Sequence, residues 1–311
     1  MKYSICIPAY KVNFLHECIK SVLSQTYEDF ELIILNDQSP EKLRDIVEEY
    51  KDNRIRYYEN EKNVGAVDVV DNWNKCLELA AGKYIICIGD DDMLTPNCLE
   101  IYNDLINKYP QCDVYHCRSL IIDENSEPLE LTNIRPEYES VYDSIIERIN
   151  GRVFFIGDYL YEKESLKKLG GFVYLPLAWG SDDLSSYLAA KENGIAHTNE
   201  VIFWYRRSRF TISSKGSVDY KMKAISDQHK WMLDFLKSEP NDGVEKILWK
   251  TLKKNLNLYI QRTKIRTIYT SLAEGSSSIF YWIKKRKENN MSFAELGYAF
   301  LLSIKEKVKK N

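Results

Sequence analysis

Residues 85–94 read Ile-Ile-Cys-Ile-Gly-Asp-Asp-Asp-Met-Leu, IICIGDDDML. Four apolar residues stop at a glycine, and three carboxylates follow without a break. A short apolar run bounded by a glycine reads as a buried strand. Three adjacent negative charges repel one another. The segment therefore reads as a core strand with an acidic site at its carboxyl end.

Working outward, the same alternation recurs. Tyr3–Pro8 (YSICIP) is an apolar strand closed by proline, and residues 14–25 carry apolar side chains at helical spacing. Strands are expected at Glu31–Leu35, Arg54–Glu59, Lys83–Ile88 and Asp113–Cys117. Helices are expected at 42–50 and 67–79. Another is expected after Thr95-Pro96, with Thr95 as N-cap and Pro96 in the first turn. Strands alternating with helices give an α/β, Rossmann-like, mostly parallel sheet flanked by helices. In such sheets ligands bind beyond the carboxyl ends of the strands. That singles out Pro8-Ala9-Tyr10, Asn36-Asp37 and Gly89–Asp92.

From about residue 217 the chain reads as basic amphipathic helix to its end. Residues 221–311 hold 19 Lys and Arg against 9 Asp and Glu, a net of +10, and residues 1–220 a net of −13. Two regions follow, 1–216 and 217–311, expected to meet different partners. The bland reading of the second is a bundle packing on the first region or on a second subunit. The sharper one is contact with a membrane surface through the basic helices, as at Lys284–Lys287 and Lys305–Lys310. No recognised nucleic-acid module accompanies the charge, so no nucleic acid is expected. No apolar run reaches membrane-spanning length, and residues 1–10 lack the apolar core of a signal peptide. The seven cysteines are scattered with no C-x-x-C pair, which indicates a reducing cytoplasm, no disulfide frame and no zinc site. The four histidines read as lone structural or solvated residues.

A divalent cation, Mg²⁺ or Mn²⁺, would relieve the repulsion at Asp90–Asp92, and such ions usually combine one or two carboxylates with phosphate oxygens. Without a cation these residues are solvated turn residues or a helix start. Asp37 either opens an Asx-turn or accepts a nucleobase N–H. No G-x-G-x-x-G follows the first strand and no G-x-x-x-x-G-K occurs, which argues against a dinucleotide cofactor or a P-loop. Asp182 and Asp183 open a helix after a glycine-rich loop, as caps or as a catalytic base.

Taken in order, SICIPAY, SVLSQTYEDFELIILNDQS, NVG, AAGKYIICIGDDDML, LGGF, GSDD and YRR resemble the family 2 inverting glycosyltransferases over about residues 2–215. The resemblance implies the fold called GT-A and a nucleotide-diphosphate sugar donor, with UDP the expected nucleotide. It places Pro8, Ala9 and Tyr10 beside the base and ribose, Asp37 on the uracil N–H and Asp90 on the ribose. Asp91 becomes the metal ligand that bridges to the pyrophosphate, with Asp92 beside it. Asp183 becomes the general base, with Asp182 in the Glu position of the family's E-D pair. Asn72 would face the nucleotide side of the cleft. Arg206, in the basic segment 205–216, would meet the diphosphate as part of a closing flap. Departures are Gly89 where the first Asp of D-x-D is usual, Asn36 for an Asp, Lys11 for an Asn, and Ser208 where a histidine often stands. The implied acceptor is a glycan or a lipid-linked molecule in cell-surface polysaccharide assembly, and the implied place is the inner face of the plasma membrane. A nucleotidyltransferase and a non-catalytic sugar-nucleotide-binding or scaffold protein remain as rivals.

Overall fold

The computed structural model describes residues 1–209 and 216–310, with the side chains of 309 and 310 left aside. The strands are β1 (Tyr3–Ala9), β2 (Phe30–Asn36), β3 (Ile55–Glu59), β4 (Tyr84–Cys87), β5 (Met93–Leu94), β6 (Val114–Ile122), β7 (Pro128–Leu131), β8 (Tyr138–Glu139), β9 (Tyr159–Glu162) and β10 (Ile195–Arg206). The helices among them are α1 (Leu15–Leu23), α2 (Leu43–Glu48), α3 (Val69–Leu79), α4 (Cys98–Lys108), α5 (Val141–Ile149), α6 (Lys163–Lys168) and α7 (Ser181–Ala189).

One sheet runs in the order β3-β2-β1-β4-β9-β6-β10-β5. From β1 the chain builds β2 and β3 on one side, then returns to lay β4 on the other, all parallel. That reversal falls between β1 and β4, and open α/β sheets take their ligands outside the carboxyl ends of the strands at such a point. Strands β1, β2 and β4 are almost wholly buried, which is why their sequence is continuously apolar instead of alternating.

Beyond β4 the sheet becomes mixed, because β9 enters antiparallel between β4 and β6. Strand β6 extends past Cys117 to Ile122. Its second half carries Arg118 and Ser119, and Ser119 donates its hydroxyl to the buried Asp158. The histidines read as lone are not all so. His116 meets Asp158 at 3.2 Å, His197 meets Glu139 at 3.0 Å, and their own rings lie 5.1 Å apart.

Thr95 is not the cap of α4. Residues 93–94 pair with β10, which carries the extended chain onward, and the helix starts after Asn97. Thr95 instead donates its hydroxyl to the Asn97 side chain at 2.8 Å.

The chain forms two compact units, Met1–Tyr174 with Ser181–Ser214, and Leu175–Gly180 with Lys215–Asn311. The second contains α8 (Val218–Phe235), α9 (Gly243–Ala273), α10 (Ile279–Lys285) and α11 (Phe293–Lys310). The sequence boundary at 216/217 missed the six residues 175–180. Among the described residues no helix is long and apolar enough to cross a membrane.

Candidate active site

Three strand ends and the start of α7 supply the first unit's polar groups. After β1, the backbone N–H groups of Tyr10 and Lys11 both donate to Asp90 Oδ2 at 2.8 Å. The Lys11 ammonium lies 3.2 Å from Asp90 Oδ1 and 3.2 Å from Asp91 Oδ2. Burial opposes its charge, but Asp90 and Asp91 outweigh burial and raise its pKa. Burial also raises Asp90, with Lys11 pulling the other way.

Sequence reasoning placed Asp90 on the ribose. The turn after β1 engages both its oxygens, which leaves one of about four acceptor sites for a ligand hydroxyl. Asp92 is likewise a brace. One oxygen accepts from Arg206 N at 3.0 Å and the other from Gly89 N at 3.2 Å. Burial, then Asp91, pushes it well above the usual carboxylate range. Two of the about four acceptor sites of Asp92 are thus taken by backbone donors.

Arg206 is also not a diphosphate ligand. It is fully buried, and its guanidinium donates to the carbonyls of Asp91, Asp123 and Glu124, to Ser126 Oγ and to Glu17 Oε2. Its face stacks on Phe14 at 4.3 Å. The arginine holds the acidic loop from beneath, and among the described residues its N–H groups meet protein acceptors. The rest of the flap expected over 205–216 falls on residues 210–215, outside the described residues. Ser208 stays close to the loop, 3.4 Å from Asp91 Oδ2.

Asp91 is the carboxylate that remains. Its Oδ2 meets Lys11 and Ser208, and its Oδ1 accepts no hydrogen bond among the described residues. Among those residues no three His, Cys, Asp or Glu side chains gather to hold a metal by themselves. The fit is therefore to an ion that takes one carboxylate here and its other oxygens from a diphosphate and water, the usual habit of Mg²⁺.

Gly89 has a steric reason. A Cβ there would lie 2.9 Å from Asp91 Oδ1 and 2.9 Å from Asp92 Oδ2, so the two carboxylates fill the space a side chain needs. Gly89→Ala is expected to cost about 1–2 kcal/mol by overpacking, seen as a lower urea midpoint. An unchanged midpoint would show that the loop relaxes freely.

Asp37 follows β2 and is buried. Its Oδ1 accepts from Asn60 Nδ2 at 2.8 Å and Val64 N at 2.9 Å, and its Oδ2 from Asn63 Nδ2 at 3.0 Å. A carboxylate has about four acceptor sites, so one stays open for a ligand N–H. Asn72 reaches this group only through Asn60, whose amide it accepts at 2.7 Å. Tyr10 is 44% exposed, while Pro8 and Ala9 lie within β1.

Asp182 and Asp183 open α7, and the strained segment before it has Leu177 and Ala178 at positive φ. Such strain clusters at functional sites. Arg148 of α5 donates its Nε–H to Asp183 Oδ2 at 2.9 Å, while Asp183 Oδ1 is buried and accepts nothing among the described residues. Asp182 Oδ1 is spent on the Asp183 N–H at 2.9 Å. Burial, with Asp183 second, raises the Asp182 carboxyl to about 7. Arg148 was missed by sequence reasoning, since nothing in an amphipathic helix marks it as an orienting group.

A family model described as Glycosyl transferase family 2 matches residues 4–170, just over half the chain. An uncharacterized glycosyltransferase of Rickettsia typhi is 29% identical over 177 residues, 53% of this chain and 54% of that protein. The chain thus spans about half the length of such curated relatives. A Bacillus subtilis protein provisionally named as the teichuronic acid biosynthesis glycosyltransferase TuaG is 26% identical over 216 residues, 68% of this chain and 81% of its own. The fold is similar to that of Staphylococcus aureus TarS residues 1–349, solved in complex with UDP-GlcNAc. The TM-score is 0.64 at 17% identity, over 87% of this chain and 80% of that one.

Proposed function

Given that this chain belongs to glycosyl transferase family 2, we propose that it moves a sugar from a nucleotide-diphosphate donor to an acceptor hydroxyl with inversion. The observation that carries the reading is the grouping, on one unit, of Asp37, Asp91 with Lys11, and the Arg148–Asp183 pair. They match a donor's three parts in turn: base, diphosphate and reacting sugar. Uridine as the base is supported by the open acceptor site on Asp37 and by the UDP-GlcNAc bound to the TarS fold. The provisional name of the B. subtilis relative supports a place in cell-surface polysaccharide synthesis, with a glycan or lipid-linked acceptor.

The transfer forms a bond from the acceptor oxygen to the anomeric carbon as the bond to the diphosphate breaks. Asp183 Oδ1 takes the acceptor proton, and Arg148 fixes the carboxylate by its other oxygen. One base opposite one leaving group gives single displacement and inversion. Negative charge collects on the leaving diphosphate, and the Lys11 ammonium beside Asp90 and Asp91 would offset it. Mg²⁺ or Mn²⁺ at Asp91 would supply Lewis-acid stabilisation of the same charge.

Purified protein offered a panel of nucleotide sugars with Mn²⁺ is expected to release nucleoside diphosphate, fastest from a UDP-sugar. EDTA is expected to lower the rate by about 10²-fold, within the several kcal/mol a Lewis acid contributes. UDP binding without turnover across donors and acceptors would favour a non-catalytic role. Full activity in EDTA would remove the metal from the mechanism and leave Lys11 as its cation.

A further inference from the structure

The helical unit carries an apolar face that nothing among the described residues covers. Along α11, one side packs inward through Leu296, Ala299 and Ser303. A second side shows Phe293, Phe300, Leu301, Ile304 and Val308, each between 41% and 72% exposed. Their spacing of i, i+7, i+8, i+11 and i+15 sets them on one stripe about 100° wide. Exposed Lys305 and Lys307 flank the stripe on either side. At its start, the Arg286 guanidinium stacks 4.2 Å from the Phe293 ring. The preceding helix α10 repeats the composition, with Phe280, Ile283 and Lys284 exposed, and Lys287 exposed just after it.

We propose that this outer face of α11 lies in the surface of an anionic lipid bilayer, with its axis in the membrane plane. A helix that packs by one side and offers aromatic and aliphatic side chains, rimmed by lysines, on another suits the headgroup–acyl boundary. The alternative occupant, a second copy of the same face, is disfavoured by charge. Residues 221–311 carry a net of +10, so two copies would bring like charge together, whereas anionic headgroups neutralise it. The lysine stems extend along apolar surface while their ammonium groups reach phosphate. This inference needs no glycosyl transfer, so the two can fail separately.

The test is co-sedimentation of the full chain with vesicles of phosphatidylcholine alone or with phosphatidylglycerol added, without any nucleotide sugar. Binding is expected on the anionic vesicles, and it should fall as ionic strength rises. Leu301→Glu with Ile304→Glu should weaken it by about tenfold or more, through lost apolar insertion and added repulsion. Lys305→Glu with Lys307→Glu should weaken it on anionic vesicles while the helical circular dichroism is retained. Both pairs are exposed, so folding is not at stake. Absence of wild-type binding to the anionic vesicles would overturn the proposal. So would wild-type binding by both variants, or a wild-type dimer that the first pair dissociates without change in vesicle binding.

Discussion

Asp183→Asn is expected to lower donor turnover with acceptor present by about 10²–10⁴-fold, the usual contribution of a positioned general base. UDP affinity should be unchanged, because Asp37 and the acidic loop are untouched. The amide keeps the shape and can still face Arg148, so a folding defect would not explain the loss. Asp182→Asn has a different signature. Asp182 holds its proton to about pH 7 because burial and Asp183 disfavour its charge. Its ionisation places a second negative charge beside the reacting centre, where it stabilises the positive charge that develops on the sugar. Turnover should therefore rise with pH through about 7 in the wild type, and this limb should flatten in Asp182→Asn, with a smaller loss of about tenfold. Measured pH profiles of kcat/KM for both variants separate the roles. A flattened limb in Asp183→Asn, with near-normal turnover in that variant, would move the base to Asp182.

The second large effect lies in Arg206. Arg206→Met is expected to destabilise the first unit by about 3–5 kcal/mol, the scale seen when one partner of a buried charged network is removed. The carbonyls of Asp91, Asp123 and Glu124 would lose their donor, and the acidic loop its nearest fixed cation from below. Arg206→Lys should not rescue it, because one ammonium cannot serve three separated acceptors as the guanidinium fork does. Thermal unfolding of both variants reads the effect. Equal stability in Arg206→Met would mean that the loop stands by its own hydrogen bonds.

These two residues show where sequence reading works and where it stops. Strands β1, β2 and β4 were plain because burial on both faces writes a continuous apolar run. The crevice followed from them, since polar residues directly after such runs have one edge of the sheet to occupy. Side-chain direction was not available. Arg206 looks like a phosphate ligand in the string YRR, yet its place as the last residue of β10 aims it under the loop. Asp90 looked like a ribose ligand by resemblance, and Asp92 like a metal ligand because three carboxylates stood together. Backbone donors from Tyr10, Lys11, Gly89 and β10 hold them, and no local pattern announces partners 80 or 114 residues distant. The antiparallel β9 was hidden for the same reason, because its pairing with β4 and β6 is a long-range choice.

Residues 175–180 give the chain an architecture that resists modular exchange. The six residues group with the helices of the second unit, where Gly180 approaches Gln228, while the next residue begins α7 of the first. A shortened protein ending near residue 216 would keep this segment but lose the helices it belongs with, two residues ahead of Asp182. The carboxyl-terminal helices are thus no detachable appendage. Grafting them from a relative would amount to editing the loop that leads into Asp182 and Asp183, and chimeras should be cut elsewhere.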